Sequence, residues 1–417
     1  MDKKSFLLGI ICLFAAFTLF VKQEKQMREH ITLQPVVDKV QEVKETPKPA
    51  IPKKLDYKVP VFTASDFITL ENDFIKVHFT KKGGAIHSIE LKHYLAEQTG
   101  NSSYVFNQNS LLPALTLAWD QYNAILSSFE ITEITDCFVQ FSCNLSDGTK
   151  LIRGYRLANS KANNPYEIKH EFRVEQNQLL HNHIWVCLGS MPDAPGDKYQ
   201  EFLNFCIFDG KETKFKRVAD FEASNGFLGI GKHEAHNYFM ERNNIPWAAL
   251  KNQFFVSILT PKMAASEYAV TLKKSTKNYS MLGFLKFDLD GKQSCVSSTY
   301  YVGPKDYILL DKMGQGQDQL MQFGWFGAVS KILLMSMRGI NMFISNWGWT
   351  IIVLTIIIKL LMWPITQAQL RSSKKMSSIQ KPLQQIREKF KNNPQKLQIE
   401  TMKLFKENRV NPAAGCL

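Results

Sequence analysis

Seventeen residues of this 417-residue chain, Trp347–Trp363, read WGWTIIVLTIIIKLLMW and hold a single charged side chain, Lys359. Tryptophans bracket the run as they do at the two interfaces of a bilayer, and Pro364 follows as a helix breaker. As a helix the run is about 24 Å long at ~1.5 Å per residue, so it suits a bilayer thinned below the usual ~30 Å core. The competing reading is a buried helix of a soluble fold. Orientation follows from what comes next. From Thr366 to Leu417 there are 11 Lys or Arg and 3 Asp or Glu, which places +8 of the chain's +13 there. Positive flanks stay in the cytoplasm, so the basic tail belongs inside and residues 22–345 belong across the membrane.

A second apolar run, Phe6–Val21, follows Lys3 and Lys4. Its length fits a secretory signal as well as a membrane anchor, but Phe17, Leu19 and Phe20 stand where cleavage needs small residues. Residues 1–21 are therefore read as an uncleaved anchor. Residues 22–62 carry Pro35, Pro47, Pro49, Pro52 and Pro60 among Lys, Glu and Val, the composition of an extended linker.

Residues 63–315 read as a large β-sandwich. Short apolar or alternating runs recur at Phe74–Phe79, Ala85–Leu91, Phe138–Leu145, Leu151–Leu157, Tyr166–Val174, Phe254–Leu259, Tyr279–Phe287 and Cys295–Tyr301. Gly83-Gly84, Asp147-Gly148 and Asp290-Gly291 punctuate them as turns. With 45% hydrophobic and 21% charged residues the chain is no disordered polymer, and a region of this size can bury a real core. Seven cysteines show no C-x-x-C spacing, and the five in this region are an odd number, against a complete disulfide framework.

Catalytic patterns in this region fail on their chemistry. His233-Glu-Ala-His236 spaces its histidines at i+3, where a zinc-protease helix needs i+4 to put both on one face. His181 and His183, two apart, would share one strand face as metal ligands do, although surface or packing roles are commoner. Gly226–Lys232 has the glycines and lysine of a phosphate loop, but His233 stands where a hydroxyl must hold magnesium. No cofactor or metal motif remains, and a binding or scaffolding role is expected rather than an enzyme.

Residues 316–345 form an amphipathic segment. Phe326, Val329, Leu333, Met337, Ile340 and Ile344 recur at helical steps, with Lys331 and Arg338 on the other side. Placed ahead of a span, it reads as a helix lying in the outer interface, or else as a packed globular helix. In the span, residues 346–366, Lys359 either snorkels to the inner headgroups or lines a polar cavity. Thr355, one turn earlier on the same face, favours the cavity. Residues 367–417 read as a basic cytoplasmic hairpin, with helices at Met376–Phe390 and Gln395–Asn408 broken at Lys391–Pro394. Lys374, Lys375, Lys381 and Arg387 are its candidate contacts to anionic partners, a solvated helix surface being the plainer alternative.

The series Asn346-Trp-Gly-Trp349, Lys359-x-x-x-Trp-Pro364-Ile-Thr366, Met376-x-x-x-Gln380-Lys-Pro382 and Asn411-Pro412-x-x-Gly415-Cys416-Leu417 resembles the YidC family of bacterial membrane protein insertases. Upstream, Gly83-Gly84, Trp247, Asn252 with Phe254-Phe255, Pro261 and Tyr301-Val-Gly303-Pro304-Lys305-Asp306 extend the resemblance over nearly the whole chain. The resemblance implies a multi-domain inner-membrane protein. Its parts would be a first anchor, a periplasmic β-supersandwich, an interfacial helix, an α-helical membrane core and a cytoplasmic hairpin. It further implies a hydrophilic groove that takes polar segments of nascent membrane proteins without ATP. Expected partners are the Sec translocon, the ribosome or targeting machinery at the hairpin, and anionic lipids. Two departures stand out. Lys359 occupies a position where the family usually has arginine, and the chain stops where a third span is expected, leaving the membrane core incomplete. Two rival readings are a membrane-anchored carbohydrate-binding or mutarotase-like β-sandwich protein, and a lipid-binding scaffold.

Overall fold

The computed structural model describes residues 62–408 apart from 97–101, 109, 121–122, 177–179, 193, 195–196, 198–200, 224–233, 237, 275–278, 292, 325 and 392. The Phe6–Val21 run, the proline-rich linker up to residue 61, the Gly226–His233 pattern and the Asn411–Leu417 motif lie outside the described residues.

Three antiparallel sheets make the β domain. The first is a meander of β1 (Phe67–Glu71), β2 (Ile75–Thr80), β3 (Ala85–Leu95) and β4 (Ser103–Phe106). The largest has nine strands, in the order β12 (Thr213–Arg217), β11 (Asn204–Phe208), β14 (Trp247–Lys251), β15 (Phe255–Pro261), β18 (Gln293–Pro304), β9 (Glu167–Glu175), β8 (Lys150–Leu157), β7 (Phe138–Asn144) and β6 (Glu130–Ile134). Five strands complete the sandwich: β13 (Tyr238–Ile245), β16 (Ala265–Lys274), β17 (Tyr279–Asp288), β10 (His183–Pro192) and β5 (Leu117–Ala118).

Alternation drives most of these strands. In β8, Leu151, Arg153, Tyr155 and Leu157 point inward, and in β9 Ile168, His170, Phe172 and Val174 do the same. One core, shared by all three sheets, takes the apolar ones of these together with Phe79 of β2, Phe106 of β4 and Leu285 of β17. The expected turns at Gly83-Gly84, Gly148 and Gly291 all have positive φ, where glycine avoids a Cβ clash. β10 breaks the alternating pattern because both its faces are covered. Ile184, Val186 and Leu188 enter the main core, while Trp185 and Cys187 pack with Ala118, Leu282 and Phe284 in a second cluster.

Among the buried polar side chains, Arg153 of β8 and His170 of β9 meet inside the core. Arg153 is fully buried and donates to the carbonyls of Gly83 (2.7 Å) and Leu115, tying the first turn to the main sheet. Its Nη2 also lies 3.1 Å from His170 Nε2, so that nitrogen accepts and Nδ1 donates toward Ser298 Oγ at 3.3 Å. Burial first, and the neighbouring guanidinium second, hold the His170 pKa well below its ordinary value. The cysteines described, Cys137, Cys143, Cys187, Cys206 and Cys295, are all free thiols.

Helices occupy the rest. α1 (Val218–Phe221) and α2 (Tyr307–Asp311) are short, and α3 (Gly327–Ile344), α4 (Trp347–Ser378), α5 (Gln380–Lys389) and α6 (Pro394–Glu407) follow in line.

Candidate functional site: the helices beyond the sandwich

The last strand of the sandwich ends in the residues that seat the helices. Gly303 has no room for a side chain, since a Cβ there would lie 2.8 Å from the Tyr166 ring and 2.9 Å from the Tyr301 hydroxyl. Asp306 then uses its two carboxylate oxygens for two tasks. Oδ1 accepts from the Ile308 amide at 2.8 Å, capping α2, while Oδ2 accepts from Arg338 Nη2 of α3 at 2.6 Å. Lys331, seven residues before Arg338, donates to Asp318 Oδ2 at 3.1 Å and lies 5.1 Å over the Tyr307 ring. Lys251, buried in β14, donates to Gln322 Oε1 at 2.5 Å just ahead of α3. The basic side of α3 is thereby turned onto the sandwich.

This placement corrects the expected apolar stripe of α3. Met337, Ile340 and Ile344 are half-buried, whereas Phe326, Val329, Ile332, Leu333, Met335, Met342 and Phe343 are exposed, Phe343 to 92%. The exposed apolar surface is rotated away from the centre of the predicted stripe because two ion pairs fix the opposite side. No residue of α3 is fully buried.

α4 begins with Asn346, whose Oδ1 accepts from the Gly348 and Trp349 amides at 2.9 and 3.3 Å. Thr350 Oγ1 lies 3.2 Å from Asn341 Oδ1, joining α4 to α3. Among the described residues α4 is the one helix long and apolar enough to cross a membrane, over Trp347–Pro364. Its large side chains, including Trp347, Ile351, Ile356, Leu360, Leu361 and Trp363, are exposed, which a buried core helix would not show. Pro364 does not end the helix as the sequence suggested. α4 continues to Ser378, because residues 367–376 are mostly good helix formers and contain no glycine. A proline inside a spanning helix is tolerated where its neighbours re-satisfy the backbone.

The continuation changes the polar face. Thr355 and Lys359 are exposed one turn apart, and Thr366 and Ser373 continue the same line at seven-residue steps from Lys359. Thr355 Oγ1 donates to Ile351 O at 2.7 Å and Thr366 Oγ1 to Met362 O at 2.9 Å, so both hydroxyls keep only acceptor capacity for a ligand. Spacing within the span pointed to Thr355 and Lys359; the helix past Pro364 adds Thr366 and Ser373 to their line.

Of the four basic candidates, Lys374 and Lys375 lie on the last turns of α4, while Lys381 and Arg387 lie on α5. The hairpin is thus α5 and α6, shorter at its start than Met376–Phe390 implied. The break is as expected: Asn393 Oδ1 accepts from the Lys396 amide at 3.1 Å and Pro394 opens α6. All four cations are exposed, with Ile379 and Leu383 buried beside them.

His181 precedes β10, stacks on Trp119 at 3.6 Å and lies 3.3 Å from Asp147 Oδ2, while His183 is within β10.

A family profile described as YidC periplasmic domain matches residues 67–336, from the first strand through most of α3. The chain belongs to the YidC family. A second profile, described as 60Kd inner membrane protein, matches residues 339–417, which include α4, α5 and α6. A protein of Janthinobacterium sp. named membrane protein insertase YidC is 24% identical over 376 residues, covering 85% of this chain. The chain spans 64% of that relative's length. A protein of the same name from Dechloromonas aromatica is 25% identical over 435 residues, covering 100% of this chain and 78% of its own. The crystal structure of YidC from Thermotoga maritima shares 13% identity at a TM-score of 0.32, covering 74% of this chain and 71% of that one. Membership makes this an inner-membrane protein whose β-sandwich and helices are the family's two matched parts.

Proposed function

We propose that the chain acts in inserting nascent proteins into the bacterial inner membrane. The carrying observation is Thr355 and Lys359 on the apolar span Trp347–Pro364 of a YidC-family chain, with Thr366 in line just past it. A cation held at membrane depth is costly unless it meets water or a counter-charge. Lys359 lies about 18 Å from Trp347 and about 8 Å from Pro364 along the axis at ~1.5 Å per residue, on the side nearer the basic tail. There it would shorten the apolar path that a polar or acidic segment must cross, by differential binding and without ATP.

The same reading orients the molecule. The sandwich faces the periplasm, where it meets the Sec translocon, and α3 lies in the outer interface with Phe343 and Met342 in lipid. Lys374, Lys375, Lys381 and Arg387 face the cytoplasm and meet anionic lipid and the ribosome or targeting machinery. Support comes from charge: Arg371, Lys374 and Lys375 of α4 all lie past its apolar span, and an excess of Lys and Arg on one flank sets topology. A reporter fused near Asp147 should lie outside the cytoplasm and one near Asn393 inside. Both on one side would end the spanning assignment of α4 and the insertase reading with it.

A further inference from the structure

The solvent face of the nine-stranded sheet carries a groove that insertion at α4 does not use. Two adjoining cavities, of about 460 and 740 Å³, share Arg156 and Lys169 as a common wall. One extends past Arg173 to Lys262, and the other extends to Lys312 just beyond α2. Together they are lined by these five cations and by two carboxylates, Glu167 and Glu171, a net +3. Among the described residues, Arg173 alone of the five is in an ion pair, at 3.9 Å from Glu171.

Register makes the arrangement unusual. Arg156 of β8 stands directly opposite Lys169 of β9, whereas Lys150 in the same pair of strands stands opposite Glu175. Like charges directly across a ladder oppose folding, and a bound anion relieves them. The Arg156 guanidinium is held 4.9 Å over the Phe138 ring, which fixes it at the groove rather than leaving it to swing into solvent. Glu171 is itself engaged by Ser297 Oγ at 3.2 Å and Cys295 Sγ at 3.4 Å, so it leaves Arg156 and Lys169 to an incoming ligand.

We propose that this groove binds an extended acidic peptide segment of a partner protein. Two cavities that share a basic wall, each with a further lysine of its own, match a chain bearing repeated carboxylates; a single small anion would leave one cavity and its lysine unused. Charge-assisted hydrogen bonds to Arg156 and Lys169 supply the central anchor. The proposal is independent of the role of Lys359.

The test uses the full chain in zwitterionic detergent and fluorescein-labelled hexaglutamate, with hexaglutamine and a galacturonate hexamer alongside. Hexaglutamate should bind saturably, at least tenfold more tightly than either comparison. Arg156→Gln with Lys169→Gln should weaken it about tenfold. Lys211→Gln with Lys273→Gln, which removes the same charge from exposed sites elsewhere on the sandwich, should leave it unchanged. A benzophenone on the peptide should crosslink to β8, β9 or β18. Equal losses in the two double variants, crosslinks confined to residues 367–408, or tighter binding of the galacturonate would each overturn the proposal.

Discussion

Asp306 joins the sandwich to α3 and caps α2 at once, so its variants should separate two energies. The Asp306–Arg338 contact is short, 2.6 Å, and each side chain is about 30% exposed. Exposed ion pairs contribute ~0–1 kcal/mol and hydrogen bonds to charged groups ~1.5–3, so this one is worth about 1–2 kcal/mol. The cap on the Ile308 amide adds about 1 kcal/mol. Arg338→Met should therefore cost about 1–2 kcal/mol and Asp306→Ala about 2–3. The double variant should cost no more than Asp306→Ala alone, a coupling of about 1–2 kcal/mol. Asp306→Asn keeps an acceptor for the cap and should cost about 1. The assay is hydrogen exchange of the α2 and α3 amides in the full chain in micelles, where each 1.4 kcal/mol of opening energy speeds exchange about tenfold. Additive effects of the two single variants would refute the clamp. So would α2 exchange that is unaffected by Asp306→Ala.

Two further outcomes follow from other parts of the fold. His170 is held neutral in the native state, so the unfolded chain binds more protons below its ordinary pKa of ~6.5. Stability is full above that pH and should fall as pH drops below it, at up to about 1.4 kcal/mol per pH unit from this group. His170→Asn should flatten that slope in urea unfolding at pH 5–7; an unchanged slope contradicts the assignment. Reversal of Lys374, Lys375, Lys381 and Arg387 to Glu should weaken association with phosphatidylserine-containing vesicles, each cation contributing about 1 kcal/mol near the surface. High salt should weaken the wild type likewise. Binding that survives both treatments leaves these cations as a solvated helix surface.

Period-two patterns and Gly turns made much of the sandwich legible. All eight runs read from the sequence contain strands, from β2 to β18. The other ten strands escaped notice, β10 and β14 among them because both of their faces are buried, which erases alternation, and β5 because two residues carry no pattern. Arg153 and His170 fall at inward positions of legible strands, but nothing local shows that the carbonyls of Gly83 and Leu115 arrive from more than 35 residues away to satisfy Arg153. At the candidate site, Lys359 and Thr355 were legible from spacing. Thr366 and Ser373 were hidden by a breaker rule that holds in water better than in a spanning helix. The rotation of α3 depended on Asp306 and Asp318, whose partners only folding selects.

The most direct test of the central proposal is insertion by Lys359 variants of the complete gene product, reconstituted in liposomes. Two clients are compared at matched amounts, one with and one without acidic residues in its translocated segment. A cation lining a wet stripe should act through charge more than shape. Lys359→Arg should retain insertion of both clients, Lys359→Ala should impair the acidic client most, and Lys359→Glu should be worst for it. If Lys359 only snorkels, alanine removes a desolvation cost of a few kcal/mol at most and insertion is kept. Equal insertion of the acidic client by the wild-type, Ala and Glu proteins would contradict the account.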